Sequence, residues 1–204
     1  MWIGGLVCAY ILGSIPSAVW ISKTFYGQDV RNSGSMNAGL TNTFRVFGWK
    51  AALPVAIIDL EKGILSAVLG AHWFPQALGS WNFALICGIL GVMGHSFTCF
   101  AGFRGGKGVL TAFGVYLFLV PWSALAAFGI WLVTVLASRY VSLASIASAL
   151  GLAVAIFIEY QKGPTTQSGL ILTWLVCGFV VYRHRENISR LLAGTENRFG
   201  SPGT

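Results

Sequence analysis

The sequence predicts an all-α integral membrane protein with seven transmembrane helices, and three observations carry the prediction. Only 9% of its 204 residues are charged and 55% are hydrophobic, whereas a soluble domain carries about 25% charged residues. The apolar residues gather into runs without strand alternation, each too long for a core strand. The cations fall almost entirely on one side of the membrane only if the spans number seven. At about 20 residues per span the length leaves no room for a separate soluble domain. Residues 1–199 therefore read as one polytopic domain, and 200–204 as a disordered tail.

The first run, 2–22, begins Met1-Trp2-Ile3-Gly4 with no basic segment ahead of it. It reads as a first span rather than a cleaved signal peptide. The second, 51–72, contains Asp59, Glu61 and Lys62. Charges at such depth are expensive and are normally paired or turned to a polar cavity. Asp59 and Lys62, at i and i+3, read as a buried structural pair, with a proton relay as the alternative. The third, 80–95, carries Gly88, Gly91 and Gly94, whose spacing makes a groove for close helix packing. It ends in His95, which suits a structural role and is a weaker candidate for a catalytic base. The stretch 109–138 is long for one helix, and Pro121-Trp122 interrupts it. Runs at 141–159 and 168–183 complete the set.

Charge decides how to count 109–138. As two spans, it places Lys23, Arg31, Arg45, Lys50, Arg104, Lys107, Arg139, Arg183, Arg185, Arg190 and Arg198 on one side and Lys162 alone on the other. As one span, it puts Lys162 with the first six of these cations on one side and Arg139 with Arg183, Arg185, Arg190 and Arg198 on the other, which nearly erases the asymmetry. The positive-inside rule selects seven spans, the N-terminus outside and the C-terminus cytoplasmic. Loops near 23–50, 96–108 and 138–142 then face the cytoplasm with the tail from Arg183. The net charge of +7 is explained by the same bias. Its cations are scattered rather than striped, so nucleic acid is not an expected partner. Cys8, Cys87, Cys99 and Cys177 have neither zinc nor redox spacing, and neither metal nor cofactor is expected.

Four polar constellations lie at one depth in this topology. The first is the glycine-rich island Ser33–Arg45. Glycines let backbone N–H groups approach an anion, and a helix N-terminus favours one. Asn37, Thr41 and Arg45, four apart, share a face if the segment is helical. The plainer alternative is a turn in which Asn37 or Thr41 caps the next helix. The second island is Gly94-His95 with Gly102-Phe103-Arg104-Gly105-Gly106-Lys107-Gly108. It is not a nucleotide-binding P-loop, because Ala101 replaces the first glycine and Gly108 the metal-binding hydroxyl. It can form a phosphate nest with Lys107 as a point charge, or a flexible loop at the lipid headgroups. The third is Arg139–Ser145, where Ser142 suits an N-cap and Ser145 a ligand contact or a bond to its own helix. The fourth is Tyr182-Arg183-His184-Arg185-Glu186-Asn187. His184 and Asn187 point one way, against a background of snorkelling cations.

These residues resemble the bacterial acyl-phosphate:glycerol-3-phosphate acyltransferases (the PlsY family) over almost the whole chain. The family's G-S-G-N-P-G-A-T-N is similar to Gly34-Ser35-Met36-Asn37-Ala38-Gly39-Leu40-Thr41-Asn42. Its G-H-x-x-P-x-F and G-G-K-G-V-A-T are similar to Gly94–Phe100 and Gly105–Thr111. Its Y-V-S-L-A-S and R-H-R-E-N stand intact at Tyr140–Ser145 and Arg183–Asn187. Met36 replaces a glycine, Ala38 a proline, Leu40 an alanine and Thr98 a second proline. A side chain at 36 is strained if that position needs a positive φ.

The resemblance implies a multi-pass enzyme of the bacterial inner membrane with its active site at the cytoplasmic face. It implies acyl transfer from acyl phosphate to the 1-hydroxyl of sn-glycerol 3-phosphate, giving lysophosphatidic acid and phosphate. On it, Gly34, Ser35, Asn37, Gly39, Thr41 and Asn42 bind the acyl-phosphate. Arg45 and Lys107 neutralise the two phosphate groups. Lys107, Gly105, Gly106, Ser145, His184 and Asn187 bind glycerol 3-phosphate. An acyl phosphate already has a good leaving group, so orientation and charge compensation suffice. The base is His184, His95 or the substrate's own phosphate. The rival expectation is a small anion transporter or channel using the same loops.

Overall fold

The computed structural model describes residues 2–73, 80–163 and 165–200. Among the described residues the regular structure is helical: α1 (Trp2–Gly13), α2 (Ser17–Tyr26), α3 (Leu40–Phe47), α4 (Trp49–Trp73), α5 (Ser80–Ser96), α6 (Val109–Leu119), α7 (Pro121–Ser138), α8 (Val141–Gln161), α9 (Gln167–Arg183) and α10 (Arg185–Leu192). Short 3₁₀ turns lie at Val30–Asn32 and Cys99–Ala101. The tail expected at 200–204 falls outside the described residues from 201 onward. The chain divides into two compact units, one ending at Leu119 and one starting at Val120.

In the first unit, α4 packs against α1, α2, α3, α5 and α6, and α5 packs against α1 and α6. The glycines of α5 allow this closeness. A methyl group on Gly91 would strike Ser66 of α4, and one on Gly94 would lie 2.8 Å from the Ser14 nitrogen. The expected span 2–22 is not continuous. It breaks at Ser14-Ile15-Pro16 into α1 and α2, bent by 41°. Pro16 has no N–H to continue the ladder and disfavours a helical residue before it. The carbonyls freed by the break find new donors. Lys62 Nζ donates to the Ile15 carbonyl at 2.9 Å, and Thr98 Oγ1 donates to that of Ser14.

In the second unit, α7 packs on α8, α8 on α9, and the short α10 on both α8 and α9. The long apolar stretch 109–138 does break, at Val120, and Pro121 opens α7 at its first turn. Trp122, Val133 and Leu136 of α7 are exposed, as suits a lipid-facing surface. Among the described residues, Trp81–Ala101, Pro121–Ser138 and Val141–Gln161 are long and apolar enough to cross a bilayer, and the bent pair α1–α2 makes a fourth if the two halves form one span. α4 is longer still, at 25 residues, but carries Asp59, Glu61 and Lys62. α6, at 11 residues, is about 16 Å long, roughly half the thickness of the hydrocarbon core.

Candidate active site

Asn42 builds the first island. Its side chain is 2% exposed. Nδ2 donates to the carbonyls of Val30, Ser33 and Asn37 at 2.9–3.1 Å, and Oδ1 accepts from the Ser35 N–H at 2.8 Å. Asn42 is thus occupied in shaping the loop around Gly34, Ser35 and Asn37. The Met36 N–H closes a turn onto the Ser33 carbonyl at 3.1 Å. Gly34 sits in that turn at φ 61°, where a side chain would run into the Asn42 amide. Met36 itself has φ 54°, so a side chain does occupy a left-handed position.

α3 starts at Leu40 with Gly39 as its N-cap, and no side chain caps it. Neither Asn37 nor Thr41 is the cap that the turn alternative supposed. Asn37 precedes the helix, so only Thr41 and Arg45 share a helical face. The first-turn N–H groups of α3 lie beside Asn37 and Gly39, the arrangement that suits an anion.

The second island doubles back on the end of α5. Gly105 and Gly106 donate their N–H groups to the carbonyls of Ser96 and His95 at 3.1 and 3.2 Å. A side chain at Gly106 would strike the His95 ring and come within 2.8 Å of the Ala38 carbonyl oxygen. The two islands therefore meet at Gly106, and Lys107 follows it half-buried.

Arg31 is the staple between them. Its Nη1 donates to the carbonyls of Ala101 and Arg104 at 2.7 and 3.2 Å, while Nε and Nη2 grip Asp29 at 2.9 and 2.7 Å. Lys23 lies 3.3 Å from the same carboxylate. The hydrogen bond from Arg31 outweighs burial and holds the Asp29 carboxyl well below the usual carboxylate range.

Beneath the islands lies a buried ionic cluster. Asp59 Oδ1 accepts from Ser17 Oγ at 2.6 Å and pairs with Lys62 Nζ at 2.8 Å and His95 Nδ1 at 3.5 Å. Asp59 and Lys62 are the structural pair that their spacing predicts. His95 is buried against Asp59, and its carbonyl anchors the Gly106 amide.

The polar groups of the second unit cluster at the heads of α8 and α10. His184 caps α9 and is 2% exposed. Its Nδ1 lies 2.8 Å from the Val180 carbonyl. A carbonyl only accepts, so Nδ1 carries hydrogen, and in the neutral ring Nε2 bears the lone pair. Ser145 is buried and donates to the Val141 carbonyl at 2.9 Å, the bond to its own helix foreseen as an alternative. Ser142 does not cap α8. The N-cap is Tyr140, without a side-chain bond, and Ser142 Oγ donates instead to Glu196 at 2.8 Å.

Glu196 also accepts from Asn187 Nδ2 at 2.6 Å and Arg190 Nε at 2.7 Å. Burial would push its carboxyl up, but these three hydrogen bonds and the Arg190 charge bring it below the ordinary value. Sequence reasoning counted Arg31 only as a cation and passed over Asp29 and Glu196. The spacing Asp29-x-Arg31 is a local cue for the first pair; Glu196 follows the last motif and has no such cue.

Among known proteins, residues 3–194 match the family described as Glycerol-3-phosphate acyltransferase. The chain is 41% identical over 194 residues to the glycerol-3-phosphate acyltransferase of Fusobacterium nucleatum, covering 95% of this chain and 96% of that one. It is similar to the crystal structure of PlsY (YgiH), an integral membrane glycerol 3-phosphate acyltransferase, in its glycerol 3-phosphate form. That TM-score is 0.89 at 39% identity, covering 98% of this chain and 96% of the other. The lysophosphatidic acid form of PlsY gives 0.85 at 37% identity, covering 98% and 95%. With its helices, its glycine islands and nearly its whole length matched, the chain belongs to the glycerol-3-phosphate acyltransferase family.

Proposed function

We propose that this membrane acyltransferase moves a fatty acyl group from acyl phosphate to the 1-hydroxyl of sn-glycerol 3-phosphate, releasing lysophosphatidic acid and inorganic phosphate. Family membership along the whole chain supports the acyl transfer and its glycerol 3-phosphate acceptor. The observation that favours a phosphate-bearing donor is the meeting of the two glycine islands at Gly106, beside Lys107. The Gly105 and Gly106 N–H groups are spent on the end of α5, so the groups that suit phosphoryl oxygens are the Lys107 ammonium and the first-turn N–H groups of α3. No observation favours the anion-transporter alternative.

On this proposal the Gly34–Gly39 loop and Thr41 receive the donor's phosphate, and Asn42 holds that loop in shape. Arg45 and Lys107 supply charge to the two phosphate groups. Glycerol 3-phosphate is bound by Lys107 with Gly105 and Gly106, and by Ser145, His184 and Asn187. The proton of the attacking hydroxyl goes to the substrate's own phosphate, with His184 as an orienting group. We further propose seven spans, the N-terminus outside, and a cytoplasmic site in the bacterial inner membrane, on the strength of the cation distribution.

The test uses detergent-solubilised protein supplied with acyl phosphate and labelled glycerol 3-phosphate. Labelled lysophosphatidic acid is expected in the absence of any sealed membrane. Turnover with acyl-CoA or acyl-carrier protein but not with acyl phosphate would overturn the donor assignment. A reporter fused after Pro121 is expected on the outer side; a cytoplasmic signal would break the seven-span topology.

A further inference from the structure

Glu196 lies beyond the motif segments compared above, yet it ties together two of them. Gly194, at φ 70°, reverses the chain after α10. The reversal is fixed by the Gly194 N–H on the Leu191 carbonyl at 3.2 Å and the Thr195 N–H on that of Arg190 at 2.9 Å. The tail then runs back along the head of α8. Phe199 donates its N–H to the Arg139 carbonyl at 2.6 Å, and Arg198 Nε donates to the Tyr140 hydroxyl at 3.0 Å. This places the Glu196 carboxylate, 7% exposed, against three donors: Ser142 Oγ, Asn187 Nδ2 and Arg190 Nε.

Three converging donors, one of them a guanidinium, form a cradle that fits a phosphate as well as a carboxylate. A carboxylate also accepts only. It therefore turns the Asn187 amide so that Nδ2 faces the tail and Oδ1 faces the other way. An amide oxygen accepts from a hydroxyl and repels a phosphate oxygen.

We propose that Glu196 is a positioning residue that fills this cradle, so that Asn187 presents its oxygen to a hydroxyl of glycerol 3-phosphate rather than its amide hydrogens to the phosphate. The proposal rests on Asn187 belonging to the glycerol 3-phosphate site, as above. It gives the substrate a direction: hydroxyl end toward Asn187, phosphate end elsewhere.

The experiment compares purified wild type, Glu196→Ala, Glu196→Gln, Asn187→Ala and the double variant N187A/E196A in detergent. It records kcat, KM for each substrate and inhibition by inorganic phosphate. Glu196→Ala is expected to raise KM for glycerol 3-phosphate by about tenfold, the scale of one lost charge-assisted hydrogen bond, and to leave KM for acyl phosphate unchanged. Inorganic phosphate should become an inhibitor competitive with glycerol 3-phosphate, at least about tenfold more potent than against wild type, as an emptied anion cradle requires. Glu196→Gln should shift both readouts the same way by a smaller factor, and it carries the test if Glu196→Ala does not fold. In the Asn187→Ala background, Glu196→Ala should change KM less than about twofold, the non-additivity of residues acting through one another.

A folded variant with unchanged glycerol 3-phosphate KM and unchanged phosphate inhibition overturns the proposal. So does an equal rise in KM for both substrates, the mark of a merely structural tail. If Asn187→Ala itself leaves the glycerol 3-phosphate KM untouched, the placing of Asn187 at that site has failed, and Glu196's role with it. If Asn187→Ala raises that KM and Glu196→Ala does not, only the role of Glu196 falls.

Discussion

In the first unit the polar groups of the two glycine islands are organised by main chain. Asn42 spends its amide on three carbonyls and an N–H, Arg31 on the carbonyls of Ala101 and Arg104, and Gly105 and Gly106 on the end of α5. In the second unit they are organised by a side chain, Glu196, which joins Ser142, Asn187 and Arg190. The main-chain bonds of the first unit fix the glycine turns, which leaves the first-turn N–H groups of α3 and the Lys107 ammonium to meet an anion. Side chains on helix heads present amide, imidazole and hydroxyl groups, which distinguish one hydroxyl from another. On the proposed reaction, the contrast gives charge compensation to the loops and acceptor orientation to the helices.

That division can be broken most sharply at Lys107. Lys107→Ala is expected to lower turnover by at least about 10³-fold, the upper range for removing a group that stabilises developing charge. Near-normal turnover would take Lys107 out of the site. His184→Ala should instead raise KM for glycerol 3-phosphate about 10- to 100-fold and lower kcat less, since an orienting group is felt in binding. A large fall in kcat at constant KM would make His184 the base.

Asn42→Ala tests the loops as structure. It leaves several buried main-chain groups unpaired and should cost about 2–3 kcal/mol in stability, with a higher KM for acyl phosphate than for the acceptor. Equal effects on both substrates would blur the distinction between the units.

Asp29→Asn should weaken the Arg31 staple with a defined pH dependence. The Asp29 carboxyl is held low in the folded protein, so its contribution is complete above the unfolded value of about 4. The stability gap between wild type and D29N should stay constant from neutral pH to about pH 5, then close as the pH falls toward the folded value. A gap that widens in acid would show that Asp29 does not hold Arg31 through its charge.

The smallest effect is expected at Met36. Glycine there removes a left-handed penalty of about 1–2 kcal/mol but adds unfolded-chain entropy of about 0.4–1 kcal/mol, for a net gain between about 0 and 1.6 kcal/mol. Unchanged or lower stability of Met36→Gly would mean that the exposed side chain makes up for its backbone.

Much of this was legible in the sequence, and the physical reasons are local. Runs of apolar residues locate the helices, and Pro121 marks the break at Val120 because a proline opens a helix readily. The break at Pro16 was marked in the same way, by Gly13-Ser14-Ile15-Pro16-Ser17, but the reading by apolar run length passed over it. Glycine and lysine point to the islands, since few other residues suit a nest. The share of work within the first island was not legible. Nothing in the sequence says that Asn42, rather than Asn37 or Thr41, carries the loop, because its partners are carbonyls, which every residue has. Glu196 was invisible because its partners stand 6, 9 and 54 residues away, beyond the three- and four-residue spacing that makes helical neighbours recognisable.

The gap between α1 and α2 has a consequence for biogenesis. A segment carrying Asp59 and Lys62 is a poor solo entrant into lipid. Its ammonium is matched by Ile15 and its carboxylate by Ser17, both synthesised earlier. The bent pair α1–α2 is thus already made when α4 emerges, so vectorial synthesis supplies the partners of Asp59 and Lys62 before those charges need them.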